Sequence, residues 1–573
     1  MDSMLQEISL QLEDYCLNAE EQVLSKMKEL CFVYHFSAED IVAQWVSFSS
    51  SKGACEDPTI PKLEHMEKEE LISQKQKKRK STTSSVSTPT RVYNSSTIDH
   101  IGSDGPENKQ ETRSQLPSLD QSPLFSTDPR TPSNFTPSRK YGARTGSGDP
   151  VSSFGALDNV EWKQSDEFSC SIYPYSEKTA LRTTYKFMSE KFRDIASILN
   201  DMIQDAAEDF VREHSIEEWG HIQLPSVEAV PVIGRIVSDG EKLNPSSLLL
   251  EGSIELSSGH TVPLDVSRLE KFSFFPGQII AGTGINNLGK KLVMHSLYEG
   301  IYPEVHPKSP DLANCFDSLG VVIAAGPFAT SDTMSYEPLW DLMKYVKIHK
   351  PHVVILIGPF VDSKNAIIEN GELNEYSEDV FKNMLTELLK HIEHLSTKVV
   401  LVPSTRDIHH ESIYPTPPFS VERATKRLYL ASDPCILNIE GVVFAITSTD
   451  ILLHLGKEEI SHPQQPDRLG RLCKHILTQK HFYPLHPPHE DLNVDSLHCE
   501  LHASLPVMPH VLVVPSDFRQ FIKDVNGCCC INPERLTKHS SGGTFARLKI
   551  NSIDKEKYKG NIIDSIQAQV IKI

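Results

Sequence analysis

His409, His410 and Glu411 are the residues whose types most directly invite chemistry. Two imidazoles and a carboxylate in succession form a donor set for a divalent metal. Their spacing argues against that use. Adjacent residues on an extended segment point to opposite faces, so the three do not converge on one ion. A polar interaction surface is expected there instead. Cys528-Cys529-Cys530 offers three thiols, but no C-x-x-C pair accompanies them. Free cysteine packs as a small hydrophobe, and the run reads as a buried strand. Gly284-Ile285-Asn286-Asn287-Leu288-Gly289-Lys290-Lys291 matches G-x-x-x-x-G-K but ends in Lys. A phosphate-binding loop needs a hydroxyl for magnesium at that position and a helix after it. The residues that follow are strand-like, so a hairpin turn is expected.

Two further segments place an absence where chemistry belongs. Val321-Val322-Ile323-Ala324-Ala325 and Val353-Val354-Ile355-Leu356-Ile357 are short apolar runs, and both stop at Gly-Pro-Phe. Such runs read as strands buried on both faces of an α/β sheet. Active sites form beyond the carboxyl ends of those strands. Two-metal phosphodiesterases of the calcineurin-like superfamily keep their ligands there, in the order D-x-H, G-D-x-x-D, G-N-H-[DE], a lone His, and G-H-x-H. Two divalent ions about 4 Å apart repel by on the order of 17 kcal/mol at an effective dielectric of about 20, so bridging carboxylates are indispensable. The present chain resembles that order with the ligands replaced. Gly326-Pro327-Phe328 stands for D-x-H, and Gly358-Pro359-Phe360-Val361-Asp362 for G-D-x-x-D. Ser404-Thr405-Arg406-Asp407 stands for G-N-H-D, and Pro515-Ser516-Asp517-Phe518 for G-H-x-H. The lone His has no evident counterpart. The degenerate positions are thus Gly326, Phe328, Pro359, Thr405, Arg406, Ser516 and Phe518. Proline offers no side-chain donor, and an arginine opposes a metal cluster. No metal, no cofactor and no catalytic residue are expected, and the chain is expected not to be an enzyme.

The elements that position these motifs follow from composition and periodicity. A chain of 573 residues is too long for one core. Its 39% hydrophobic and 23% charged residues are ordinary for a soluble protein, and no apolar run approaches the ~18–20 residues of a membrane span. The start lacks the pattern of a signal peptide. Eleven cysteines, an odd number without framework spacing, fit reduced thiols in an intracellular compartment. The net charge of −20 argues against a protein whose main work is gripping phosphate backbones. Five regions are expected. Residues 1–72 form a small helical interaction module, with Leu5, Ile8, Leu12 and Tyr15 at helical spacing and capping signatures at Asn18–Glu21 and Ser37–Asp40. Residues 73–160 are a disordered linker. Residues 161–229 are a helical lead-in, with Phe187, Phe192, Ile195, Ile198, Leu199 and Ile203 as its buried face. Residues 230–305 carry about five short strands with Gly at the bends, which fits an OB-type barrel. Residues 306–573 alternate strand and helix.

The linker carries its own signals. Residues 75–148 hold twelve Lys/Arg against six Asp/Glu, a local +6. Lys75, Lys77, Lys78, Arg79 and Lys80 form a compact basic cluster that reads as a nuclear-import signal. Thr88, Ser122, Thr131 and Thr136 each precede a proline. Arg91 and Arg139 follow two of these steps in the pattern that cyclin-dependent kinases favour. Each phosphate adds about −1.5 to −2, so four would cancel or invert the linker's charge.

A barrel followed by a ligand-free phosphodiesterase pattern resembles the B-subunit family of eukaryotic replicative DNA polymerases, and most closely its DNA polymerase alpha branch. The motifs are Leu248-Leu249-Leu250-Glu251-Gly252, Val262-Pro263-Leu264-Asp265-Val266-Ser267, Phe275-Pro276-Gly277-Gln278, the two Gly-Pro-Phe strand ends, Val402-Pro403-Ser404-Thr405-Arg406-Asp407-Ile408-His409-His410 and Gly542-Gly543-Thr544-Phe545-Ala546-Arg547-Leu548. The resemblance implies a multidomain chain: an all-α amino-terminal bundle, a disordered linker, an OB-fold β-barrel and an α/β calcineurin-like phosphodiesterase domain lacking metal ligands. It implies a nuclear, non-catalytic member of the DNA polymerase alpha–primase complex. The expected partners are the carboxyl-terminal domain of the catalytic subunit, the primase subunits, replication-fork and origin factors through the bundle, and a cyclin-dependent kinase. DNA contact would be indirect or weak, and no membrane is involved. Two rivals remain at this level. One is an active two-metal phosphodiesterase or nuclease. The other is a single-strand DNA-binding OB protein, which would need exposed aromatics in a basic groove. Phe272, Phe274 and Phe275 cluster in the barrel segment, but with little excess positive charge.

Overall fold

The computed structural model describes residues 3–14, 17–34, 37–51, 57–67 and 138–573, the last apart from 158–159, 165–167, 169, 239–241, 313–314, 316–317, 422–424, 464–465, 554–557 and 559. The basic cluster Lys75–Lys80 and Thr88, Ser122, Thr131 and Thr136 lie outside the described residues.

Four helices open the chain: α1 (Ser3–Asp14), α2 (Glu21–Tyr34), α3 (Ala38–Ser51) and α4 (Ile60–Met66). Apolar residues at helical spacing bury Ile8, Leu12, Met27, Leu30, Ile41, Trp45 and Leu63 in one core. Ser37 starts α3 with a reciprocal capping box. The Asp40 N–H donates to Ser37 Oγ (3.0 Å) and the Ser37 N–H to Asp40 Oδ2 (3.3 Å). The signature at Asn18 does something else. Its N–H donates to Asp57 Oδ1 at 2.7 Å, which ties the α1–α2 loop to the approach to α4.

Two corrections concern the segment before the barrel. The linker expected over 73–160 ends earlier, because residues 150–154 are a strand. The lead-in expected to be helical over 161–229 is helical only in α5 (Phe192–His214) and carries a second strand at Ile172–Pro174. Both strands are short and polar enough to lack a clear apolar period. Helix α5 buries Ile203, Ala207 and Phe210 against Ile233, Ile279 and Ala281 of the barrel. Phe192, expected to be buried, is 92% exposed, since only the carboxyl-terminal half of the helix finds the barrel wall. Ser215 ends it in the left-handed region, at φ 52°.

The barrel is closed, in the order β3 (Val230–Ser238), β4 (Leu248–Glu251), β5 (Thr261–Asp265), β8 (Leu292–Leu297) and β7 (Ile279–Ile285). Alternation points Val232, Ile236, Leu248, Leu250, Val262, Leu264 and Met294 inward. Residues 286–291 are the β7–β8 turn, with Gly289 at φ +71°. A Cβ at Gly289 would lie 2.9 Å from Gln223 O, so the turn is pressed onto the barrel's own approach segment and holds no phosphate cradle. Strand β6 (Phe272–Phe274) leaves the barrel and pairs with β15 (Ile460–His462).

The remainder is a four-layer α/β/β/α domain. One sheet runs β1 (Pro150–Phe154), β22 (Ile566–Lys572), β21 (Thr544–Asn551), β9 (Ser318–Ala325), β10 (Val353–Ile357), β11 (Lys398–Val402) and β12 (Leu428–Leu430). The other runs β17 (Phe521–Val525), β18 (Cys528–Asn532), β16 (Val511–Val513), β14 (Val442–Ile446), β13 (Cys435–Ile439) and β2 (Ile172–Pro174). Their facing sides share a core of Ile323, Ile355, Val400, Phe444, Val513 and Ile531. Helices α6 (Glu337–His349) and α7 (Ser377–Ile392) cover the first sheet, and α8 (Ile451–Glu458) and α9 (Arg468–Thr478) the second. The three cysteines of β18 alternate between these layers. Cys529 faces the other sheet, while Cys528 and Cys530 face α8 and α9.

Candidate functional site

The parallel strands β9, β10 and β11 lie side by side in register, so Ala325, Ile357 and Val402 end at one level. The loops beyond them are pulled together by backbone. Gly326 N–H donates to Ile357 O (2.7 Å) and Gly358 N–H to Val402 O (2.8 Å). No side chain fits at either glycine. A Cβ at Gly326 would lie 2.1 Å from Pro359 O, and one at Gly358 would lie 2.5 Å from Asp407 Oδ2. Both Gly-Pro peptide bonds are cis. The phenyl rings that follow turn inward. Phe328 and Phe360 are buried and stacked, with centroids 4.9 Å apart, and Phe360 meets Phe381 and Phe419 edge-on. At the first two strand ends, the loop interior is filled with carbon.

The third strand end holds charge. Arg406 grips Asp362 with two hydrogen bonds, Nε to Oδ1 at 3.0 Å and Nη2 to Oδ2 at 2.5 Å. Asp407 is 1% exposed and points away, into the loops. Its Oδ1 accepts from the N–H groups of Phe360 (2.5 Å) and Val361 (3.0 Å), and Oδ2 from Ser404 N–H (2.9 Å). Burial pushes its pKa up to about 7, against the pull of these donors. Asp407 is therefore a staple between the β10 and β11 loops. Thr405 is half-buried.

Strand β16 delivers the fifth motif from the other sheet. Ser516 is fully buried; its N–H donates to Asn532 Oδ1 (2.9 Å) and its Oγ accepts from Phe518 N–H (3.2 Å). Asp517 accepts from Arg535 Nε (2.9 Å), and its N–H donates to Asp450 Oδ2 (2.7 Å). Arg535 also lies 3.5 Å from Asp450. Burial disfavours the Asp517 carboxylate, yet Arg535 and the nearby Arg406 hold its pKa down to about 2. Arg406 thus links the strand ends of the two sheets electrostatically. A chain of alternating charge, Asp362–Arg406–Asp517–Arg535–Asp450, crosses the crevice. Two guanidinium groups face three carboxyl groups, and burial with the neighbouring Asp517 raises the pKa of Asp450. Among the described residues, no group of three or more His, Cys, Asp or Glu is placed to hold a metal ion.

The structure also places what sequence reasoning missed or misread. Strand β14 runs parallel beside β16 and ends at Thr447-Ser448-Thr449. Their hydroxyls and the Ser448 N–H all turn to the fully buried Asp433, whose pKa burial raises to about 6. No imidazole stands at that strand end. Only the Asp-Pro step hinted at a fixed turn. The expected polar surface at His409 is corrected as well. Its ring stacks on Phe381 (4.2 Å) and Phe419 (5.3 Å), and burial pushes its pKa down to about 4. His410 turns to Pro417 O (2.7 Å) and Glu411 (2.6 Å). The three residues diverge. Phe272, Phe274 and Phe275 are buried at the junction with the α/β domain, so they present no stacking platform for bases.

One cluster imitates a hydrolase. Ser273 Oγ and Glu459 Oε1 both contact His475, but at the same nitrogen, Nε2 (2.8 and 3.0 Å). A catalytic triad needs the carboxylate on the other ring nitrogen. Arg471 also grips Glu459 (2.7 and 2.8 Å), which makes the cluster a joint between barrel and α/β domain.

Comparison with known proteins assigns all three folded parts to one group. Residues 6–72 match the family described as the N-terminal region of the DNA polymerase alpha B subunit, and residues 196–300 match the OB domain of the same B subunit. Residues 321–523 match the DNA polymerase alpha/epsilon B-subunit family. The chain is 35% identical to the DNA polymerase alpha B subunit of Rattus norvegicus over 99% of each chain. It is 29% identical to that of Drosophila melanogaster over the full length of both. For the Saccharomyces cerevisiae protein the identity is 26%, covering 66% of this chain and 62% of the relative.

Proposed function

This chain belongs to the B-subunit family of DNA polymerase alpha, and from that premise we propose that it is a non-catalytic scaffold within the DNA polymerase alpha–primase complex. The accessory role follows from the family. The finer reading is that the α/β domain is a calcineurin-like phosphodiesterase fold whose ligand positions Gly326, Phe328, Pro359, Thr405, Arg406, Ser516 and Phe518 no longer hold metal. One observation carries it: the strand ends are filled by the Phe328–Phe360 stack and the Asp362–Arg406 pair. The barrel and the α/β domain would together hold the carboxyl-terminal domain of the catalytic subunit, with the primase subunits in the same assembly. The bundle would recruit replication-fork and origin factors. The basic cluster would direct nuclear import, and cyclin-dependent phosphorylation of Thr88, Ser122, Thr131 and Thr136 would tune the linker's charge.

Affinity purification of the full chain from cells, with peptide identification, is expected to recover a polymerase catalytic subunit and primase. Recovery without either overturns the assembly. Metal analysis of the purified chain is expected to find no stoichiometric divalent ion. Two bound ions, or manganese-dependent cleavage of a phosphodiester, would overturn the non-catalytic reading and leave the assembly standing.

A further inference from the structure

Arg468, at the start of α9, connects three parts of the molecule. Nη2 donates to Gly456 O at 2.6 Å, inside the α/β domain. The guanidinium carbon lies 5.9 Å from the ring centre of Phe518, at the last strand-end motif. On its other side, Nε pairs with Glu39 of the amino-terminal bundle at 2.9 Å, and Nη1 reaches Gln11 at 3.5 Å. Arg468 is 7% exposed and Glu39 20%, so the pair is mostly removed from water. A second pair lies between bundle and barrel, Lys242 Nζ to Asp40 Oδ1 at 2.9 Å. Helix α3 rests against α8, and the bundle's core is continuous with the apolar layer of α8, α9 and Phe518. Lys62 of α4 is within electrostatic reach of His539, on the hairpin of β19 (Thr537–Lys538) and β20 (Ser541–Gly542), and His539 is within reach of Asp517. The bundle therefore sits over the α8–α9 side of the crevice and touches the barrel as well.

We propose that residues 3–67 form a reversible intramolecular cap. The closed chain holds the bundle on its own body through Arg468–Glu39 and Lys242–Asp40. The open chain releases α1 and the start of α3 to partners. The occupant of the seat is fixed by the contacts themselves, and reversibility follows from charge and tether. Residues 1–67 carry thirteen acidic and four basic side chains, and the whole chain is at −20, so long-range repulsion opposes closure. Two ion pairs and a modest apolar contact work against that repulsion. The seventy residues from 68 to 137 join bundle to body in one chain, which makes the contact intramolecular. A contact too weak to form between separate molecules is then populated within one. The cap stands whichever proteins the bundle recruits. It makes recruitment a competition, because a partner that takes the Glu39 face must displace Arg468.

A zero-length carbodiimide reads the closed state directly, since it joins Lys242 to Asp40 only while they touch. In the full chain, the Lys242–Asp40 linked peptide is expected at a yield independent of protein concentration. Glu39→Lys and, separately, Arg468→Gln are each expected to lower that yield about tenfold or more, as loss of one partner of a mostly buried pair does. Hydrogen exchange of α1 and α3 in the same samples is expected to show the bundle still folded. Absence of the linked peptide from the unaltered chain overturns the cap. A yield in both variants equal to that of the unaltered chain, or a yield that rises with concentration, does so too.

Discussion

Two of the clusters that pair arginine with carboxylate, the barrel joint and the crevice, differ in how far water is excluded. At the barrel joint, Glu459 is 1% exposed, Arg471 9% and His475 8%. At the crevice, Asp362 is 10% exposed and Arg406 29%. The joint is glue. Its charges are sealed between β6, β15 and α9, where Arg471 holds Glu459 with two hydrogen bonds. The crevice pair is wetter and sits beyond the carboxyl ends of β10 and β11. It neutralises carboxylates that the strand ends still present. The same two residue types thus lock a domain interface in one place and bridge two strand-end loops in the other.

The comparison is broken most forcefully at the joint. Glu459→Ala strands the buried Arg471 guanidinium and removes the carboxylate beside His475 Nε2, and is expected to destabilise by about 3–5 kcal/mol, read as a lowered urea midpoint for the barrel–α/β unit. A midpoint within error of the unaltered chain would show the joint to be wetter than its geometry. Next in size is Asp407→Asn, which replaces one acceptor oxygen with an amide nitrogen facing Ser404 N–H. A cost of about 1–3 kcal/mol is expected from the same measurement.

These two acids also predict opposite pH dependence. Burial opposes ionisation of Glu459, but Arg471 and His475 hold its pKa below the usual range. Its contribution is full above the unfolded value of about 4.3 and is lost as pH falls toward the folded one. Asp407 binds its proton more tightly when folded, with a pKa near 7. Its contribution is full below the unfolded value of about 3.9 and is lost as pH rises to about 7. Asp407→Asn should therefore flatten that falling slope between pH 4 and 7. An unchanged slope would assign it to other groups.

Smaller effects sharpen the crevice itself. Asp362→Ala is expected to cost about 1–2 kcal/mol, less than the joint because Arg406 is partly exposed and keeps Asp517 nearby. The smallest expected effect is from metal. Chelation with EDTA, or added manganese, should leave the unfolding temperature unchanged, and a shift of several degrees with either would put an ion back in the crevice.

Legibility followed burial. Apolar runs such as Val353–Ile357 and Cys528–Ile531 announced central strands, because residues buried on both faces must be apolar. The strand-end glycines were visible for the same reason that they matter, since no Cβ fits there. Edge strands were not legible. Pro150–Phe154 and Ile172–Pro174 are half-exposed and borrow their order from partners hundreds of residues away. Arg406 was recognisable as an obstacle to metal, but its partner Asp362 lies 44 positions earlier, and only the parallel register of β10 and β11 brings them together. His409 misled because a histidine's polarity says nothing of the two phenyl rings that enclose it.

The pairing of β1 with β22 has a consequence for synthesis. Residues 150–154 leave the ribosome early, and their partner at 566–572 is made some four hundred residues later. The barrel, made in between, closes from strands that all lie within Val230–Leu297. The seven-stranded sheet cannot close until Ile566–Lys572 has emerged. A ribosome stalled shortly before that point would carry a finished barrel on an open sheet, with the apolar edge of β21 waiting for its neighbour.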